Sequence, residues 1–217
     1  DIEKSFEEAS VLEKYVPFEK EISVIVARNL KGEIKTFPIT ELKFSPEANL
    51  VEYLFSPAEV SKEIEEKADK IARKVAEEIG IVGILAVEMF LTKEDEVLVN
   101  EIAPRPHNSG HQSIEANITS QYEQHLRAIL NLPLGSTEII SPSVMVNLLG
   151  EKGYEGHAKY EGLNEVLCLE GVKIHLYGKK LTKSFRKMGH VTVLDKDLSK
   201  AKEKARFVKE KLKVISE

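Results

Sequence analysis

The sequence has no tryptophan, one cysteine in 217 residues and only 6% aromatics. A single thiol cannot close an internal disulfide, so stability must come from a packed core, which the 42% apolar content can supply. Cys168 sits in the apolar run VLCLEGV and reads as a small buried hydrophobe in a reducing cytosol, not as a nucleophile. No apolar run approaches the roughly 20 residues of a membrane span, and no signal-peptide pattern is present. Nor is positive charge in excess: 31 basic against 36 acidic residues give a net charge of -5, and the sequence pI is about 5.8. With no basic stripe interleaved with aromatics, a general nucleic-acid surface is excluded. Internal repeats and low-complexity segments are missing too.

What is present in abundance is chemistry between residues 99 and 111, VNEIAPRPHNSGH, where a carboxylate, an arginine, two histidines and an asparagine follow an apolar strand. IVGILAVEMFL (Ile81 to Leu91) and EVLVNEI (Glu96 to Ile102) read as strands joined by a charged turn. If Thr92 faces Val97 across a loop of Lys93 to Glu96, Glu88 falls opposite Glu101. Directly opposed strand residues have Cβ atoms about 4.5 to 5.5 Å apart, and like charges there repel. Glu88 also lies among Ile84, Ala86, Val87 and Met89, where an unpaired ionised carboxylate costs several kcal/mol. A hard divalent cation shared by both carboxylates and completed by substrate phosphates resolves the conflict, which describes magnesium. Two partly solvated strand glutamates, one with a raised pKa, are the plainer alternative.

The chain opens at Asp1, and DIEKSFEEAS resembles the second half of a helix with Ile2, Phe6 and Ala9 on one face, so it is expected to begin mid-domain. Glu21 to Ala27 alternates as a strand and turns through NLKGE into IKTFPI. ELKFSPEANLVEYLFSP reads as an irregular excursion broken by two Ser-Pro pairs. A capping box at Ser56 to Glu59 starts a helix with Val60, Ile64, Ala68, Ile71, Val75 and Ile79 in one stripe and Gly80 as its stop. ITSQYEQHLRAILNLP is a second helix, with Tyr122, Leu126, Ile129 and Leu130 expected inward. Beyond GSTEIISPS come short strands with glycine turns and a charged closing helix. The expected class is α+β, with one unit over residues 1–135 and a small β-rich unit over 136–217.

The carboxylate pair, preceded by EKYV and a downstream glutamate, resembles the C-terminal part of an ATP-grasp ligase. NEIAPRPHNSGH together with YGKKLTKSFRKMGH closely resembles the 5-(carboxyamino)imidazole ribonucleotide synthases of purine biosynthesis. Asn108-Ser109-Gly110 separates the chain from the formate-dependent glycinamide ribonucleotide transformylases, which typically have Asp-Thr-Gly there. The resemblance implies the C-terminal part of an ATP-grasp fold followed by a barrel-sandwich-like domain, with ATP and Mg2+ as cofactors. It implies that ATP phosphorylates bicarbonate, and that the carboxyphosphate, or carbon dioxide released from it, is captured by the amine of aminoimidazole ribonucleotide. By the same resemblance Glu13 and the backbone of Lys14, Tyr15 and Val16 form a hinge strand that reads adenine, and Glu21 accepts from the ribose. Glu88 and Glu101 bridge magnesium to the phosphates; alternation points Asn100 to the opposite face, which weakens its claim to assist. Arg105 takes bicarbonate, carboxyphosphate or the γ-phosphoryl group, and His107, Asn108 and Ser109 contact the imidazole nucleotide beside Gly110, with no general base assigned. Lys179 and Arg186 take the 5'-phosphate, although Lys180 adjoins Lys179 and FRKMGH stands where relatives commonly have Pro-Gly before the arginine. His190 is read as structural. A cytoplasmic homodimer is implied, with neither nucleic acid nor membrane as partner. The family's N-terminal α/β domain and lid lie upstream of everything in this sequence; if the chain truly starts at Asp1, negligible turnover is expected of it, the other reading being that those residues are not represented in this numbering. The alternatives are the transformylase or another ATP-grasp ligase, and a non-catalytic nucleotide-binding fragment.

Overall fold

The scaffold begins with β1 (Lys20–Arg28), whose continuous run of Ile, Val and Ala is buried on both faces and so can only be an inner strand. The computed structural model describes residues 10–45, 47 and 50–217; the helix expected at the N-terminus, with Ile2, Phe6 and Ala9, lies outside them. β1 pairs antiparallel with β2 (Ile34–Thr36), β3 (Thr40–Phe44) and β5 (Gly83–Leu91). β4 (Val51–Ser56) pairs with β3, and β6 (Val97–Ala103) pairs with β5. The segment expected to be irregular therefore contains two strands, because Ser45 follows the last residue of β3 and Pro57 follows the last residue of β4.

β7 (Ser143–Leu149), β9 (Val172–Leu176) and β11 (Lys187–Leu194) extend the same sheet, giving the order β6-β5-β1-β3-β4-β7-β11-β9. The division expected near Ser136 is consequently crossed by the sheet, and also by a buried cluster of Leu42, Val51 and Leu54 with Met145. β8 (Gly156–Glu161), β10 (Leu181–Thr182) and β12 (Lys213–Ser216) form a separate three-stranded sheet.

One face of the large sheet is covered by two helices. α1 (Lys62–Ile79) packs Ile64, Ala68, Ala72 and Ala76 onto Val24, Val26, Leu85 and Val87. Its cap is Ser61, which accepts from the Ile64 N–H, because Ser56 is claimed by β4, where it pairs with Ser143. Gly80 closes the helix at φ 67°, a left-handed conformation that costs glycine nothing. The remaining α-helices among the described residues are α2 (Ser113–Ala116), α3 (Gln121–Ile129), α4 (Leu163–Leu167) and α5 (Leu198–Lys211). α5 covers Val144, Val146, Val191 and Val193 with Ala201, Ala205 and Val208.

On the opposite face, Ala128 of α3 and Leu134 pack over Ile25, Ile84, Ala86 and Ala103. α3 is turned the other way from its expected orientation: Leu126 and Leu130 are 54% and 64% exposed, while Gln121 and Gln124 are fully buried. Those glutamines serve loop backbone: Gln124 exchanges two hydrogen bonds with Gly135, and Gln121 does the same with His107. Buried amide groups must be paired, and here that requirement outweighs burial of the apolar stripe. Cys168, expected to be buried, is exposed at the end of α4, its thiol donating to the Asn164 carbonyl.

Candidate functional site

The expected apposition of Glu88 and Glu101 is formed, though by a different route. The turn is wider than expected, with the Thr92 N–H donating to the Glu96 carbonyl and Leu91, not Thr92, facing Val97. That register would carry Glu88 past Glu101. A bulge between Glu88 and Met89 absorbs Asn100, and Glu88 is returned to Glu101. The extra residue also breaks strict alternation: Asn100 and Glu101 line one cavity of about 390 Å³ together with Glu21, Glu88 and the Phe18–Phe90 stack. The expectation that Asn100 faces away is thereby corrected.

Three carboxylates, Glu21, Glu88 and Glu101, share this one cleft. Burial, followed by the charges of Glu101 and Glu21, lifts Glu88 to about 7, with Lys187 and Arg105 pulling the other way. Glu21 is raised by burial and then by Glu101. Among the described residues no group of three or more His, Cys, Asp or Glu is arranged to hold a metal unaided. Two directly opposed carboxylates with excess negative charge do fit a hard cation that draws its other ligands from phosphate and water.

The second cavity, about 360 Å³, is lined by Arg105, His107, Asn108 and His111 from one side of the site. Tyr122, Tyr177, Lys179 and Lys187 supply the rest of its wall. His107, on the wall of the second cavity, touches a residue of the first, its Nδ1 lying 3.4 Å from Glu88 Oε1. This is no ion pair at neutral pH, since burial, then Arg105 and Lys187, hold His107 at about 4 while Glu88 keeps its proton up to about 7. The same Nδ1 accepts from the Ser109 N–H and lies 3.0 Å from Ser109 Oγ, which fixes the ring.

Asn108 is braced by Asn147 and by Lys187, whose ammonium donates to its Oδ1 at 3.3 Å. Lys179 lines the cavity whereas Lys180 is exposed away from it, and Lys179 Nζ donates to the Lys187 carbonyl at 2.6 Å.

Four expectations are not met by this geometry. Ser109 is fully buried, paired with Ser23 Oγ at 2.8 Å, and cannot reach a ligand. Gly110 does permit a close approach, but to the Gln121 side chain, which a Cβ would meet at 2.7 Å. Arg186 is exposed outside the cavity wall and donates to the Leu181 carbonyl. Glu13 to Val16 form no strand and touch neither cavity; Tyr15 is 80% exposed. Sequence reasoning missed Lys187, one residue past the arginine of FRKMGH. A bulge at the start of β11 aims it inward, and burial holds its pKa below the ordinary lysine range. It also passed over Tyr122 and Tyr177, which look like ordinary apolar positions until the fold places them on one wall. Phe185, just before that arginine, takes φ 62°, a left-handed backbone that a side-chain-bearing residue seldom adopts.

Comparison with known proteins adds an independent line. Residues 1–122 match the ATP-grasp domain family, and residues 143–204 match the phosphoribosylaminoimidazole carboxylase C-terminal domain. N5-carboxyaminoimidazole ribonucleotide synthase of Bacillus subtilis is 47% identical over 184 residues, covering 85% of this chain and 46% of that protein. The crystal structure of N5-carboxyaminoimidazole ribonucleotide synthetase from Thermotoga maritima superposes with a TM-score of 0.89 at 52% identity, over 99% of this chain and 58% of that one. N5-carboxyaminoimidazole synthase from Aspergillus clavatus, solved in complex with ADP and 5-aminoimidazole ribonucleotide, gives 0.83 at 35% identity, over 91% and 52% of the two chains. The chain spans about half the length of the curated relatives it matches.

Proposed function

The chain belongs to the N5-carboxyaminoimidazole ribonucleotide synthase family of ATP-grasp proteins, and from that premise we propose that its cleft serves the ATP- and bicarbonate-dependent carboxylation of 5-aminoimidazole ribonucleotide, releasing ADP and phosphate. The observation that carries this reading is the junction at His107, where an anionic cleft built on Glu88 and Glu101 meets a cationic cavity built on Arg105, Lys179 and Lys187. A phosphoryl donor complexed to a cation suits the first, and an anionic ribonucleotide suits the second.

In this reading Glu88 and Glu101 hold Mg2+, with Asn100 and Glu21 on the same wall facing the nucleotide. The cation, when bound, neutralises the phosphates during transfer to bicarbonate. Arg105, exposed at the rim, offers a planar, permanently charged fork to bicarbonate or to the transferring phosphoryl group. The nucleotide's exocyclic amine then attacks the activated carboxyl carbon, phosphate departs, and the amine proton passes to solvent. His107, neutral and oriented by Ser109, and Asn108, fixed by Asn147 and Lys187, line the place where that amine must sit. Lys179 and Lys187 face the 5'-phosphate. Arg186 joins them only by exchanging the Leu181 carbonyl for that phosphate. Glu13 to Val16 are kept as adenine contacts on the family resemblance alone. A cytoplasmic homodimer rests on the same footing; no helix among the described residues is long and apolar enough to cross a membrane.

The test is ADP formation with 5-aminoimidazole ribonucleotide, with and without bicarbonate. Dependence on both substrates supports the carboxylating reaction. ADP formed when formate replaces bicarbonate would move the assignment to an acyl-phosphate ligase of the transformylase kind. ADP binding with no turnover under any combination would leave a nucleotide-binding module.

A further inference from the structure

Behind the cationic cavity the rings of Tyr122, His111, His190 and His175 form a column. Tyr122 and His111 are 6.0 Å apart, His111 and His190 4.7 Å, and His190 and His175 4.4 Å, the last pair within 10° of parallel. The column is anchored at its far end by Glu115, whose Oε1 lies 2.7 Å from His175 Nε2. From its middle, His190 Nδ1 reaches the Tyr177 hydroxyl at 3.1 Å, and Tyr177 is on the cavity wall, with Lys179 Nζ 5.6 Å above its ring.

His190 is 2% exposed, and its other nitrogen, Nε2, is buried with no partner. That asymmetry decides where its proton sits. A buried N–H without an acceptor is costlier than a bare acceptor lone pair, so the favoured tautomer carries hydrogen on Nδ1. Nδ1 then donates to Tyr177 Oη, and the hydrogen of the hydroxyl is left to point elsewhere. Burial pushes the hydroxyl up to about 12, so it remains a donor at any physiological pH.

We propose that His190 is a positioning residue which, by donating to Tyr177 from within the histidine column, turns the Tyr177 hydroxyl hydrogen toward the cavity as a donor to an anionic oxygen of the ribonucleotide. This rests on the reading of that cavity as the ribonucleotide site. Tyr177 thereby adds a neutral, directional donor to the charged groups Lys179 and Lys187. The stacked neighbours hold the imidazole flat, so the hydroxyl has one orientation to offer.

Two measurements separate this inference from the functional reading. In the 15N spectrum of the ligand-free protein, the proton of His190 is expected on Nδ1, and finding it on Nε2 overturns the proposal. In calorimetric titration with 5-aminoimidazole ribonucleotide, His190→Phe keeps the flat ring and removes the orphaned nitrogen, so it should fold. It is expected to weaken binding about tenfold, as loss of one oriented hydrogen bond does, with ADP affinity unchanged. Tyr177→Phe should do the same, the pair together no more than either alone, and His190→Asn, which can place an amide donor at the Nδ1 position, should recover most of the loss. Additive losses, or unchanged affinity in His190→Phe with a lowered melting temperature, show a merely structural brace and overturn the proposal. A wild-type protein with the Nδ1 proton that takes up no ribonucleotide overturns the reading of the cavity while sustaining the tether.

Discussion

Glu88 carries the chemistry of the cleft and its instability at once. Its proton is held to about 7 in the folded state against an ordinary value of 4.5, so between those limits the folded form binds more protons than the unfolded and this residue's contribution falls as pH rises. His107 and His111, held at about 4, and His190, held at about 3, act in the opposite sense, since unfolding lets them take up protons below about 6.5. Ligand-free stability should therefore rise with pH up to roughly the ordinary histidine pKa, the three histidines outweighing the concurrent loss at Glu88, and fall only where Glu88 alone still titrates, up to about 7. Glu88→Gln isolates the second effect: its melting temperature relative to the wild type should climb steadily between about pH 5 and about pH 7.5. A difference that is flat or falls with pH would sink this account of the carboxylate. The sequence already made this residue legible, because a glutamate inside an apolar strand needs a reason. It did not reveal Lys187, whose role depends on a bulge that no pattern of residue types announces.

At the level of elements, the hairpin of β5 and β6 reaches the expected pairing through two departures that cancel, a wider turn and a bulge. The bulge places Asn100 beside Glu101, and a regular ladder would still leave Glu101 opposite Glu88 if Asn100 were removed. Deleting Asn100 should accordingly preserve the fold and the carboxylate pair while weakening binding of magnesium and ADP by about three- to tenfold, the scale of one lost polar contact. Loss of folding, or unaltered affinity, would show that Asn100 has no part in the site. The strands of the β5–β6 hairpin, the body of α1 and the PRPHNSGH loop were legible from periodicity and breakers, whereas β3 and β4 were hidden by the two Ser-Pro pairs. The orientation of α3 was not, because its stripe of Tyr122, Leu126, Ile129 and Leu130 points to a core, whereas Gln121 and Gln124 are needed to satisfy loop backbone. Backbone satisfaction is a tertiary demand, invisible to a helical wheel.

In the whole molecule, the sheet that runs from β6 to β9 crosses the boundary expected at Ser136, and β4 pairs directly with β7. Tyr53 and Phe55 of β4 also pack against the core beneath α5. Two cores joined by one sheet should unfold together, as a single calorimetric transition in which the van't Hoff and calorimetric enthalpies agree. Two resolved transitions would show that residues 136–217 are an independent unit after all. The shift in composition near that boundary was legible, but strand pairing across it was not, since register between distant strands leaves no local mark. The same continuity lets Lys179 and Lys187 meet Arg105 and His107, although more than seventy residues separate them in the chain. The central claim is that Glu88 and Glu101 form one cation site for a nucleotide, and the direct measurement is ADP titration with and without magnesium, on wild type and on Glu88→Gln with Glu101→Gln. Magnesium should strengthen ADP binding by at least tenfold in the wild type and not at all in the double variant, which should remain folded. Equal magnesium dependence in both proteins would contradict the account.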